Sequence, residues 1–195
     1  MNILTIKLEK CLKWIISNLC NFNMKDNISD TITQEYYNIM NLNDVLYKEN
    51  ISEKDYNKYK FQIFNILGQL THAPILTDNS LKNIITKQNI FNRTYAYISN
   101  NNIIGLMTII IEQKIIHGGM CVAHIEDLVI DKNYRGNSIG KILIEYAKKY
   151  ALENNCYKII LDCYPDLMRY YEKNKFYSNS VCMRYDLHNN NIIVR

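Results

Sequence analysis

Apolar residues recur at helical spacing over residues 56–70, where Tyr59, Ile63, Ile66, Leu67 and Leu70 line one face. Residues 80–87 predict a second, short helix capped by Asn79 or Ser80. The pattern then changes. Residues 94–99 and the long β-branched run 103–116 predict two strands joined by an Asn100-Asn101-Asn102 turn, and His117-Gly118-Gly119 leads into a third strand over 121–130. Helical period returns over 139–152, with Ile139, Ile142, Leu143, Tyr146 and Ala147 on one face. Residues 157–161 read as a strand, 166–173 as a helix with Pro165 at its first turn, and 181–187 as a closing strand. There is no internal repeat. Helices, antiparallel strands, one crossing helix and further strands make an α/β plan.

Two stretches precede these elements. Residues 1–23 set Leu8, Leu12, Ile15, Ile16 and Leu19 at helical spacing, with Lys7, Lys10 and Lys13 mostly off that stripe, which predicts an amphipathic helix. Its charges leave no run near the roughly 20 apolar residues that span a bilayer, and no small-residue cleavage site follows. Packing on its own domain or a partner is favoured over a membrane surface. Residues 24–50 are polar and Asn-rich and read as a variable linker, which leaves residues 51–195 as one domain.

Hydrophobic residues make up 48% of the chain, enough for a packed core rather than disorder. The net charge of +4 is spread along the chain, so it does not point to nucleic acid and mildly favours an anionic small molecule. None of the six cysteines forms a CxxC pair or a cluster of zinc-ligand spacing. The expectation is therefore reduced thiols in a cytoplasmic protein, with no metal.

The densest chemistry lies between the third strand and the crossing helix, in Tyr134-Arg135-Gly136-Asn137-Ser138-Ile139-Gly140-Lys141. A turn that opens a helix exposes unpaired backbone N–H groups at the positive end of the helix dipole. Glycines let a phosphate approach the backbone, and Arg135 and Lys141 add charge, which makes a pyrophosphate cradle. An ordinary glycine-containing loop explains the same residues about equally well. The GxxxxGK[ST] spacing of a Walker loop is absent, and so are the third glycine and the parallel βαβ start of a dinucleotide fingerprint.

This stretch resembles the coenzyme A loop of the GNAT superfamily, Arg/Gln-x-x-Gly-x-Gly/Ala, with Arg135 first, Ser138 in place of the middle glycine and Gly140 last. Further stretches resemble the glucosamine-6-phosphate N-acetyltransferase family in particular: Ile110-Ile111-Glu112-Gln113-Lys114-Ile115-Ile116-His117, His124-Ile125-Glu126-Asp127-Leu128-Val129-Ile130, Cys156-Tyr157-Lys158-Ile159-Ile160-Leu161-Asp162-Cys163, Tyr170-Tyr171-Glu172-Lys173 and Gln69-Leu70-Thr71. The resemblance runs in order over residues 56–187. It departs at Leu167, where the superfamily often has Asn, and at Lys175, where a helix-ending Gly is usual.

The resemblance implies a GNAT fold: a mixed, mostly antiparallel sheet flanked by helices and splayed to admit acetyl-CoA as co-substrate. It implies that residues Arg135, Gly136, Asn137, Ser138, Ile139, Gly140 and Lys141 hold the coenzyme. Leu128, Val129 and Ile130 would pair with its pantetheine arm, and a backbone N–H, Leu128 first, would polarise the thioester carbonyl. Tyr171 would protonate the leaving thiolate, with a core aromatic beside Tyr170 and Phe176 as the other reading. Glu126 and Asp127 would meet the sugar, on opposite sides of the strand if alternation holds, and Asp162 would orient the amine or accept its proton. Tyr157 and Lys158 would reach the phosphate of glucosamine 6-phosphate across a homodimer interface, with Arg184, Lys114 and Thr71 as weaker candidates. Two other readings remain at this stage: a GNAT enzyme for another amine, such as a peptide or polyamine, and a non-catalytic acyl-CoA-binding module.

Overall fold

The computed structural model describes residue 36, residues 38–185 and residue 187, so the helix expected over residues 1–23 lies outside the described residues. Among the described residues one five-stranded sheet runs in the order β1 (Ile39–Asn41), β2 (Asn92–Ser99), β3 (Asn102–Gln113), β4 (Cys121–Ile130) and β5 (Cys156–Ile160). The first three pairings are antiparallel and β4–β5 is parallel. The helices α1 (Leu42–Leu46), α2 (Glu53–Leu67) and α3 (Asp78–Thr86) precede β2 among the described residues. Helix α4 (Ile139–Glu153) makes the crossover that a parallel pair requires, and α5 (Met168–Lys173) follows β5.

The alternation of side chains along the strands gives the sheet two apolar faces. On one, Met107, Ile109, Ala123 and Ile125 pack with Leu143, Ala147 and Ala151 of α4. On the other, Ala96, Ile103, Leu106 and Val129 pack under Leu46, Ile63, Ile66 and Leu81 of the first three helices. The sheet is thus covered on both sides, and the strand ends are left to carry chemistry.

Three expectations change. The polar lead-in assigned to residues 24–50 is, from Ile39 onward, part of the core: β1 pairs with β2, and Leu42, Val45 and Leu46 of α1 are buried. Helix α3 starts earlier than expected, because the Thr77 hydroxyl accepts from the Ser80 N–H at 3.2 Å and takes the capping role from Asn79 and Ser80. The closing strand over 181–187 is absent: residues 181–185 and 187 lie outside any strand, with Val181, Met183, Tyr185 and Leu187 exposed. Among the described residues their alternation has no neighbouring strand to pair with.

Helix α5 ends as the Lys175 departure foreshadows. Asn174 stays near the right-handed region and Lys175 turns left-handed, at φ 69°. Lys175→Gly should therefore stabilise the fold by about 1 kcal/mol, since a side chain is strained in that region. Chemical denaturation should show a higher midpoint with an unchanged slope.

Candidate functional site

The pairing of β4 with β5 runs only from Cys121–Cys156 to His124–Ile160, so from Ile125 onward β4 continues without β5. On its other edge β4 bulges. Leu106 faces Val129 and Thr108 faces Glu126, which sets Asp127 and Leu128 against Met107 alone. Asp127 carries φ 52°, a conformation Asp tolerates better than most residues. A bulge bends its strand, and here it lies where the two parallel strands part. The expected alternation of Glu126 and Asp127 is interrupted at this point. Leu128, the expected oxyanion donor, is the second residue of the bulge.

Acidic groups gather beside the parting. Burial first, then the charges of Asp127 and Asp162, hold the Glu126 carboxyl above its usual range, with His124 opposing them. Asp162 follows just past the end of β5. Its carboxylate accepts a hydrogen bond from the Cys182 thiol and pushes that thiol up. Cys182 was not among the sequence candidates. Arg184 opposes that rise.

Tyr171 stands near the same place, on α5. Its ring packs edge-on against Tyr170, at 5.2 Å between centroids, and against Phe176, at 6.0 Å. Burial, followed by the neighbouring Tyr170 and Cys163, pushes its phenol up to about 12. The phenol is protonated at neutral pH, as a proton donor must be.

The expected coenzyme loop leaves β4 through Asp131, whose N–H donates to the Ile104 carbonyl at 2.9 Å. Gln69, just past α2, holds the next residue by accepting from the Lys132 N–H at 2.8 Å, and Thr71 lies exposed two positions on. Arg135 is anchored by its Nε, which donates to the Ile130 carbonyl at 3.0 Å. Asn137 donates to the Tyr134 carbonyl, Gly136 has φ 85°, and Ser138 is left-handed at φ 61°. Ser138 therefore takes a left-handed conformation of the kind that glycine adopts at no steric cost. That conformation keeps its hydroxyl from capping α4, whereas Asn41, Ser52 and Thr77 do cap α1, α2 and α3. The N–H groups of Ile139, Gly140 and Lys141 thus face out of a helix end with no side-chain cap. Uncapped N–H groups, a neighbouring guanidinium and an open strand edge fit the pyrophosphate and pantetheine of a coenzyme A thioester.

The other candidates sit elsewhere. His124 Nε2 lies 3.0 Å from Glu112 Oε2, and Lys114 also pairs with Glu112, so the charge of Lys114 is already engaged. Both partners, Lys114 first, lower the Glu112 carboxyl. Val122 pairs with Glu112 on one side and Lys158 on the other, one cross-strand row. Lys158 is exposed with its ammonium 5.5 Å from the Tyr157 ring centroid, and that ring lies 4.3 Å from His117. Tyr157 and Lys158 precede Asp162 by five and four residues, with Lys158 at the middle of β5. Asp127 and Asp162 both act on Glu126, and Tyr171 feels Cys163, the neighbour of Asp162.

Residues 62–176 match the model of the acetyltransferase (GNAT) family. The chain is 36% identical over 125 residues to a glucosamine 6-phosphate N-acetyltransferase of Trypanosoma brucei brucei, covering 63% of this chain and 85% of that one. It is 38% identical over 122 residues to glucosamine 6-phosphate N-acetyltransferase 1 of Dictyostelium discoideum, covering 60% and 77%. Among solved structures, an acetyltransferase of Trypanosoma brucei superposes with a TM-score of 0.64 at 31% identity, over 76% of this chain and 98% of the other.

Proposed function

Because the chain belongs to the acetyltransferase (GNAT) family, we propose that it moves the acetyl group of acetyl-CoA to the 2-amino group of D-glucosamine 6-phosphate. The products are N-acetyl-D-glucosamine 6-phosphate and CoA, and the sugar feeds UDP-N-acetylglucosamine synthesis. The observation that carries the substrate is the likeness, over most of their length, to two relatives bearing that enzyme's name. The convergence of carboxylates on the parted strands supports it, because an amine must be held and deprotonated there.

The roles follow from the local chemistry. The loop from Arg135 to Lys141 binds the coenzyme phosphates, and β4 from Leu128 to Ile130 offers its edge to the pantetheine. Glu126, raised by burial, is a better proton acceptor than an ordinary carboxylate and takes the amine proton with Asp162 beside it. The neutral amine attacks the thioester carbon, and the Leu128 N–H receives the developing oxyanion. As the tetrahedral species collapses, the carbon–sulfur bond breaks, Tyr171 gives its proton to the sulfur, and the proton that the new amide nitrogen sheds restores the phenol.

Lys158 and Tyr157 bind the sugar phosphate from the second copy in a homodimer. Their distance along β5 from Asp162 supports this assignment. So does the segment after α5, where Val181, Met183 and Tyr185 are 84%, 89% and 87% exposed and alternate with Cys182 and Arg184, as in a strand awaiting a partner. We place the enzyme in the cytoplasm on the strength of its free thiols, Cys121, Cys156, Cys163 and Cys182. Among the described residues no helix is long and apolar enough to cross a membrane.

A panel of amines with acetyl-CoA tests the reading. Glucosamine 6-phosphate should be acetylated far faster than glucosamine, peptides or polyamines. Losing a charged hydrogen bond to phosphate is worth roughly 1.5–3 kcal/mol. Lys158→Ala should therefore raise KM for glucosamine 6-phosphate by about tenfold or more and barely move KM for acetyl-CoA. Equal use of unphosphorylated glucosamine, or two unmoved constants, would refute the phosphate assignment.

A further inference from the structure

We propose that Tyr170 is a positioning residue for this reaction: its hydroxyl seats α5 on Gly140 and so fixes where Tyr171 stands. The inference rests on the reading of Tyr171 as the proton donor. Gly140 lies in the first turn of α4, among right-handed residues, so its backbone makes no demand for glycine. Space does. A Cβ at Gly140 would overlap the Tyr170 hydroxyl, while the ring carbon Cζ would stay at 3.5 Å, an ordinary contact. The phenol oxygen alone occupies the place of the missing methyl.

Moving the Tyr170 hydroxyl aside turns a ring that packs on Tyr171, and the Tyr170 backbone is itself tied to α4 through Asn174. Its ring is set edge-on against Tyr171 at 5.2 Å, and its carbonyl accepts from Asn174 Nδ2 at 2.8 Å. The Asn174 carbonyl in turn accepts from Lys148 Nζ of α4 at 2.8 Å. Helix α5 has only six residues, no buried side chain and no side-chain cap, so it has little hold of its own. It is pinned on α4 at two points, Tyr170 at Gly140 and Asn174 at Lys148. Tyr171 lies between the pins. The glycine that ends the coenzyme motif thus also sets the position of the proton donor, and the loop and the acid are assembled as one unit.

The test compares Gly140→Ala, Tyr170→Phe and the double variant, each alone and with Tyr171→Phe, by kcat and by KM for acetyl-CoA. Alanine is a better helix residue than glycine, so α4 survives the change, and the backbone N–H is kept. Gly140→Ala should lower kcat by roughly tenfold or more, as misplacing a catalytic group does, with KM for acetyl-CoA nearly unmoved. Tyr170→Phe alone should lower kcat, though less than Gly140→Ala, because the seat is lost but nothing is pushed aside. A Tyr170→Phe enzyme as fast as wild type overturns the proposal. Since Tyr170→Phe makes room for the methyl, the double variant should recover to that level, a coupling that two unrelated sites do not show. With Tyr171→Phe already present, Gly140→Ala should have little further effect. The proposal is overturned if the double variant stays as slow as Gly140→Ala, if the change falls on KM for acetyl-CoA instead, or if Gly140→Ala slows the Tyr171→Phe enzyme fully. A nearly unimpaired Tyr171→Phe with an intact rescue would overturn the proton-donor reading and leave the seating contact standing. A slow Tyr171→Phe without rescue would overturn the seating contact alone.

Discussion

Tyr171→Phe should lower turnover by about 10²–10⁴-fold, the usual contribution of general acid catalysis. Affinity for acetyl-CoA and melting temperature should hardly change, because phenylalanine keeps the ring between Tyr170 and Phe176. The effect belongs in kcat, since the proton is needed only as charge builds on sulfur. Burial raises the phenol to about 12, against about 8.5 for a free thiol. The phenol is therefore a weak acid that stays loaded at every pH where the protein is expected to work. As the proposed donor it should hydrogen-bond the sulfur early and release its proton late. Thiolate is a fair leaving group, so residual turnover is expected. A variant within about threefold of wild type, with chemistry rate-limiting, would show that the proton comes from elsewhere.

A chain shortened to begin at Asn50 should fail to fold. It would lose β1, which pairs Ile39 with Tyr97 and Asn41 with Tyr95, and α1, where Leu42, Val45 and Leu46 are 3%, 2% and 0% exposed. These side chains belong to the cluster containing Tyr59, Ile63, Ile66 and Leu81. Truncating one buried leucine to alanine destabilises by about 2–5 kcal/mol. Deleting three buried side chains together exhausts a stability of about 5–15 kcal/mol. Leu46→Ala, a milder probe, should lower stability by about 2–5 kcal/mol. Circular dichroism on the shortened chain should show no cooperative melt. A melt at the full-length temperature would remove β1 and α1 from the core.

That second result reverses what the sequence suggests, for a physical reason. A three-residue strand and a five-residue helix are shorter than the windows in which periodicity can be seen. Leu42, Val45 and Leu46 do have helical spacing, but they sit in an Asn-rich stretch that masks it. Longer elements were legible because their period repeats, as in α4 and β3. The start of α3 was misplaced because Thr77, Asp78, Asn79 and Ser80 can all cap, and only geometry chooses among them. Of the candidate site, the uncapped turn from Arg135 to Lys141 at the start of α4 and the place of Tyr171 on α5 could be read from motif and order. The bulge at Asp127 could not, although two acids inside an apolar run were its trace. Nor could the contact of Cys182 with Asp162, which joins positions that only folding brings together, whereas Lys114 and Glu112, two residues apart, share a side by simple alternation.

Ser138 turns the start of α4 into an unfinished helix. Three of its fellows begin on side chains of their own, while this one leaves its first turn to be completed by a guest. A guest that binds only the folded chain adds its binding energy to folding, about 2.7 kcal/mol at a hundredfold excess over Kd. The crossover helix joins the two strands that part, so a coenzyme bound at its start should hold that crossover closed, and the lifetime of the folded chain should rise with the supply of acetylated coenzyme.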